Sequence, residues 1–104
     1  MTDPRHAAAA ELLKALSNPH RIAIVDLLAD GPRRVHEIVD ALALDQPLVS
    51  QHLRVLRDAG LLAGERHGKE VVYSLADHHI AHIVGDAITH AEEPRTPAAE
   101  PPLA

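Results

Sequence analysis

Apolar residues recur along this chain in a set order of periods. The stretch "AAAAELLKAL" (7–16) is Ala-rich, with Leu12, Leu13 and Leu16 at helical spacing, and predicts a first helix. In "SNPHRIAIVDLLADG" Asn18 can cap a second helix, Pro19 suits its first position and Gly31 closes it. Ile22, Ile24, Val25, Leu27 and Leu28 are too many for one narrow stripe, so this helix should be central. Val35, Ile38, Val39 and Leu42 follow at i, i+3, i+4, i+7, the pattern of a short amphipathic helix. Asp45 then offers a cap for "QPLVSQHLRVLRDAG", in which Val49, Leu53 and Leu56 face inward. Pro47 falls in its first turn and Gly60 ends it. In "GLLAGERHGKEVVYSL", Val71, Tyr73 and Leu75 alternate and Gly68 supplies turn chemistry, which predicts a β-hairpin. A last helix runs through "LADHHIAHIVGDAITHAEE" (75–93).

Two short helices joined by two or three residues make a helix-turn-helix candidate, and a hairpin directly after it is a wing. The fold expected is mainly α with a β-hairpin: a winged helix-turn-helix over residues 1–93. Gln46, Ser50, Gln51, Arg54 and Arg57 lie on the outer face of the second of those helices, and His52 either joins them in contacting a partner or packs at the helix edge. Gln can hold adenine, Arg can hold guanine or phosphate, and Ser suits either, so the inventory fits a DNA major groove. Arg66, His67 and Lys69 at the wing tip are placed for phosphate or the minor groove. Each residue taken singly fits a solvated surface equally well; the order of elements favours DNA.

Composition narrows the chemistry. With one Tyr and no Phe or Trp in 104 residues, the core must be aliphatic and modest, and oligomerisation is a natural remedy. The absence of cysteine removes disulfides and thiolate metal sites. No secretory signal or membrane-length apolar run is visible, so the expectation is a cytoplasmic protein with no membrane partner. "PRTPAAEPPLA" (94–104) has four prolines and no period, and reads as a disordered tail. The net charge of −5 argues against nucleic acid until its distribution is considered. Residues 46–70 set Arg54, Arg57, Arg66 and Lys69 against Asp58, Glu65 and Glu70, whereas 75–104 set Arg95 alone against Asp77, Asp86, Glu92, Glu93 and Glu100. One half can face phosphates while the other attracts cations.

The last helix carries that second possibility. Asp77 and His79 sit where an entering chain can aim i and i+2 together, and His90 and Glu93 are i,i+3 neighbours. His79 and His90 share a face within about 20° but stand about 16 Å apart along the axis. One ion with bonds of about 2 Å cannot hold both from one helix. Two antiparallel copies can: Asp77 and His79 of one chain meet His90 and Glu93 of the other, giving two identical sites in a homodimer. Two imidazoles and two carboxylates suit Zn(II), with Co(II) also acceptable; Ni(II) usually wants more ligands. All four metal positions are then closed by protein, no nucleophile-and-base pair is visible, and neither an enzyme nor a small organic substrate is expected.

The segment resembles the metal site of the ArsR/SmtB family of metal-sensing repressors, Asp-x-His, ten residues, then His-x-x-Glu or His, matched by Asp77, His79, His90 and Glu93. "LSNPHRIAIVDLL", "PLVSQHLRVLRDAGL" and "GKEVVYSL" resemble the family's second helix, recognition helix and wing, so the likeness covers about residues 10 to 93. It implies an apo dimer on double-stranded operator DNA that zinc releases, derepressing metal efflux or resistance genes. Members that sense arsenic, cadmium or lead place cysteines before the recognition helix; "RRVHEIVD", with Arg34 and His36, has none, and that helix is expected to be purely structural. His78, His82 and Glu92 are possible extra ligands, while His6, His20 and His36 read as surface or packing residues. Ile80, Ile83, Val84, Ala87, Ile88 and Ala91 read as core and dimer interface. The alternatives are a winged-helix regulator with structural zinc and another effector, or a winged-helix protein-interaction module.

Overall fold

The helix that opens at Pro19 takes the central place its apolar crowding demands. A computed structural model describes residues 1–95. Its elements are α1 (Pro4–Leu16), α2 (Pro19–Leu28), β1 (Arg33–Arg34), α3 (Val35–Leu42), α4 (Gln46–Asp58), β2 (Leu62–His67), β3 (Glu70–Leu75) and α5 (His78–Glu92). Residues 96–104, most of the expected tail, lie outside the described residues.

Asn18 starts α2 by accepting the backbone N–H groups of His20 and Arg21 at 2.9 and 3.2 Å, two donors the helix itself leaves unpaired. Pro19 follows at the first position, where a missing N–H costs nothing. Ile24 and Val25 are fully buried, and α2 touches α1, α3, α4, α5 and β3. The core around it is aliphatic: Leu16, Ile38, Val49, Leu53, Leu56, Leu61, Ile80 and Val84 close over it. The first helix begins earlier than its apolar pattern, because Asp3 caps Arg5 N–H at 2.8 Å and Pro4 presets the first turn. Leu13, one of its three periodic leucines, is 54% exposed.

Helices α3 and α4 join through Ala43, Leu44 and Asp45. Ala43 makes the turn in the left-handed region, at φ 54° and ψ 40°. Asp45 holds the cap position of α4 but its side chain makes no capping bond. Pro47, two residues on, lacks one of the N–H groups such a cap would bind. Val49, Leu53 and Leu56 point inward as their spacing requires.

The expected hairpin closes through a two-residue turn, His67 opposite Glu70, with Gly68 at φ 65°. A positive φ at the first turn residue matches the twist of the flanking strands and favours glycine. At Gly64, opposite Tyr73, a Cβ would come within 3.2 Å of both the Tyr73 ring and Val71. The sheet also has a third strand that the apolar pattern does not reveal. Two residues, Arg33 and Arg34, pair with Tyr73 and Val72, giving the antiparallel order β1-β3-β2. A two-residue strand is too short to carry an alternation.

Because an L-residue in the left-handed region is strained and glycine is not, Ala43→Gly should stabilise the fold by about 0.5–1 kcal/mol, whereas the β-branched Ala43→Val should destabilise it. Thermal unfolding at one fixed protein concentration checks both signs.

Candidate functional site

Two surfaces carry the residues singled out by the sequence, one on α4 and the wing, the other along α5. On α4, Gln46, Ser50, Arg54 and Arg57 follow one another at helical i+4 and i+3 steps and are exposed, with Gln51 beside them. Their stripe lies about a quarter-turn round the helix from the buried Val49, Leu53 and Leu56. Arg66 and Lys69 are exposed on the wing. Gln46 and Lys69 line one cleft of about 260 Å³ between the start of α4 and the wing.

His52 does not belong to that surface. It is 8% exposed, and its ring stands edge-on to His20 with centroids 5.4 Å apart. Its Nδ1 is buried without a hydrogen-bond partner. Burial, then the positive charge of Arg21 and His20, pushes its pKa below the ordinary 6.5. In sequence His52 sits between Gln51 and Leu53, and helical spacing puts it on the edge where the outer face turns inward; packing against α2 decides the side.

The same cleft brings in residues that the pattern assigned to a purely structural helix. Glu70 of β3 accepts from Arg34 Nε at 2.6 Å and stands 3.3 Å from His36 Nδ1. Glu37 accepts the Arg34 N–H at 2.8 Å, which holds its carboxyl below the usual range. Arg34, His36 and Glu70 therefore tie the start of α3 to the root of the wing and border Gln46. Only the pairing of β1 with β3 produces this meeting, so no local signal announces it.

Along α5, Asp77 is the N-cap and accepts the His79 N–H at 2.9 Å. The same carboxylate lies 3.3 Å from His79 Nδ1. At the other end His90 Nδ1 is 3.7 Å from Glu93, which ends the helix. All four side chains are exposed. Each expected pair is thus assembled, and eleven residues of straight helix, about 16 Å, separate the two. Among the described residues no group of three or more His, Asp or Glu gathers where one ion could be held. The donors fit a divalent ion in kind, two to each end, with half the required number at either.

Leu13, Leu16, Ile22, Ile83, Ala87 and Ile88 line a nearly wholly apolar groove of about 380 Å³ between α1 and α5. Leu13 and Ile83 are among the few large apolar side chains left exposed.

The order of helices, the aliphatic core and the wing have counterparts among known proteins. Residues 18–63 match the family described as "Bacterial regulatory protein, arsR family". The HTH-type transcriptional regulator NmtR of Mycobacterium tuberculosis is 43% identical over 86 residues, which cover 83% of this chain and 72% of that protein. The chain belongs to the ArsR family. Within the family it is also similar to the HTH-type transcriptional repressor SmtB of M. tuberculosis, at 63% identity over 86 residues and 83% of this chain. The match spans 64% of that repressor's length. A solution structure of a homodimeric winged helix-turn-helix DNA-binding domain from Mycobacterium bovis superposes with a TM-score of 0.77 at 31% identity, covering 89% of each chain. These relatives are regulators of transcription, and this ArsR-family chain shares their winged helix-turn-helix fold. No helix among its described residues is long and apolar enough to cross a membrane.

His52 gives a sign-definite pH dependence. Its folded pKa is depressed, so the unfolded chain binds the proton more readily and stability falls as pH drops through about 6.5. The thermal midpoint should therefore decline between pH 7.5 and 5.5 (roughly one unit either side of that value) more steeply in the wild type than in His52→Gln. Parallel declines would show that His52 is not the proton acceptor.

Proposed function

We propose that the chain is a metal-responsive transcriptional repressor that works as a homodimer. In this reading the apo dimer binds double-stranded operator DNA, and Zn(II), or Co(II) in its place, releases it. The observation that carries the reading is the pair of half-sites on α5. Asp77 with His79, and His90 with Glu93, are each gathered within a few ångströms and cannot reach each other. A second α5 laid antiparallel supplies each pair with its complement, two imidazoles and two carboxylates in all, which suits tetrahedral Zn(II). The apolar groove beside α5 supports the same partner. A second copy would cover Leu13, Ile83, Ala87 and Ile88, and the related M. bovis domain is homodimeric.

Residues 1–93 would then form the DNA-binding and dimerisation domain. Gln46, Ser50, Gln51 and Arg54 would read the major groove, with Arg66 and Lys69 on flanking backbone or in the minor groove. A dimer reads two half-sites about one helical turn apart, so the spacing of its two α4 helices decides whether both fit. Bound in the proposed sites, the ion would act as a cross-link of fixed geometry. Joining the two α5 helices at both ends would set the α4 spacing through the α2 and β3 contacts of α5. Release follows if that spacing no longer matches the operator, because only a difference in affinity between the two dimer states can shift the equilibrium.

Fluorescence anisotropy of labelled DNA from upstream of the gene tests this with chelator-stripped protein. Binding should collapse as zinc is added and should survive zinc in His90→Ala; equal operator affinity with and without zinc at constant salt would refute the mechanism. Separately, Arg54→Ala with Arg66→Ala should weaken binding and flatten the log K against log salt plot by about 0.9 for each phosphate left without its arginine. Unchanged affinity would assign the domain to protein interaction instead.

A further inference from the structure

The histidines of α5 outnumber the two that the proposed inter-subunit sites use. His78 and His82 are left over, both exposed. They are i and i+4, one above the other on the helix, with ring centroids 6.0 Å apart and the rings nearly perpendicular. Two imidazoles on one ion, at about 2.1 Å per bond and a tetrahedral angle, have ring centres roughly 5 Å apart. A small side-chain rotation closes that difference. We propose that His78 and His82 form a second divalent-metal site, contained within one chain and distinct from the inter-subunit site.

Position separates the two sites. At about 100° per residue, His82 and His78 lie roughly 60° and 100° round the helix from His79. That is the side away from Ile80, Ile83 and Ala87, so a second copy packed on the apolar groove leaves the pair open to water. The site has two protein ligands, in keeping with the lack of any three-ligand group among the described residues, and water completes the shell. Neutral imidazoles select a borderline divalent ion, Cu(II), Ni(II) or Zn(II), over Mg(II) or Ca(II). Asp86, one turn beyond His82, adds negative charge on the same flank.

The pair is also next to the main site. The rings of His78 and His79 have centroids 4.4 Å apart. An ion on His78 and His82 reaches His79 by exchanging one ligand, which makes the outer pair an entry point for the inter-subunit site. An ordinary solvated helix gives no reason for three imidazoles to gather within one turn, since histidine is a mediocre helix former.

The test uses the full chain with His79→Ala and His90→Ala, which removes the inter-subunit ligands, and follows Ni(II) uptake by isothermal titration. This background should still take up one Ni(II) per chain. Adding His82→Ala, or His78→Ala, should weaken uptake by about tenfold or more, because the second imidazole no longer binds intramolecularly. Circular dichroism verifies that each variant keeps its helices. No uptake by the background variant, or uptake indifferent to His82→Ala, would overturn the proposal. Identical titrations of wild type and background, both weakened by His82→Ala, would support this site while refuting the inter-subunit one.

Discussion

A straight α-helix cannot bring its two ends to one ion, and that rigidity governs how this chain can work. Asp77 and His79 are fixed by the helix start, since Asp77 is itself the N-cap. Glu93 is fixed by the helix end, within reach of His90. The separation of about 16 Å is set by the 1.5 Å rise per residue and no side-chain motion removes it. Under the proposed function a complete site therefore reports two facts at once, that metal is present and that two chains are assembled. A sensor built from one chain's four ligands would report only the first.

The rigidity matters because α5 is tied to the rest. Ile80 and Val84 are buried against a core with no Phe or Trp, and α5 rests on α2 and β3. Aliphatic side chains packed to crystal-like density have low compressibility and pass strain on to the elements they touch. Here α2 is the common neighbour of α4 and α5, so under the proposed function a change in how two α5 helices meet would be carried to α4 through this central helix. The wing is secured separately. Glu70, paired with Arg34 and near His36, links β3 to the start of α3. These groups are about half exposed, where an ion pair contributes little to stability, so their effect is on position rather than on folding.

Much of this was legible in the sequence, and where it was not the reason is physical. The cap at Asn18, the inward Val49, Leu53 and Leu56, and the Gly68 turn are local, and local rules find them. The pairs Asp77–His79 and His90–Glu93 are also local, i,i+2 and i,i+3, which is why spacing alone brings out each pair. Asp45 takes the cap position its sequence offers, but Pro47 removes one of the N–H donors its side chain would bind. The strand Arg33–Arg34 and the Glu70 link were invisible because they arise when β3 folds back beside residues forty positions earlier. His52 lies at the boundary of two faces, where helical spacing leaves the side open and tertiary packing settles it.

Charge distribution answers the remaining conflict, that a chain of net charge −5 is proposed to carry a DNA-facing surface. Screening limits exposed charges to a range of about 8–10 Å, so a distant carboxylate does not cancel a local arginine. Under the proposed function Arg54, Arg57, Arg66 and Lys69 would act on phosphates within that range, while Asp77, Asp86, Glu92 and Glu93 would act along α5, where cations would be gathered. The acidic excess would then have a use on each side. It would concentrate divalent ions at α5 and keep non-specific attraction to DNA weak, so that binding would depend on the stripe from Gln46 to Arg57 meeting bases and on both halves of a dimer meeting the groove. A protein whose hold on DNA depends on such a fit can be released by changing the fit alone, with no need to reverse its charge.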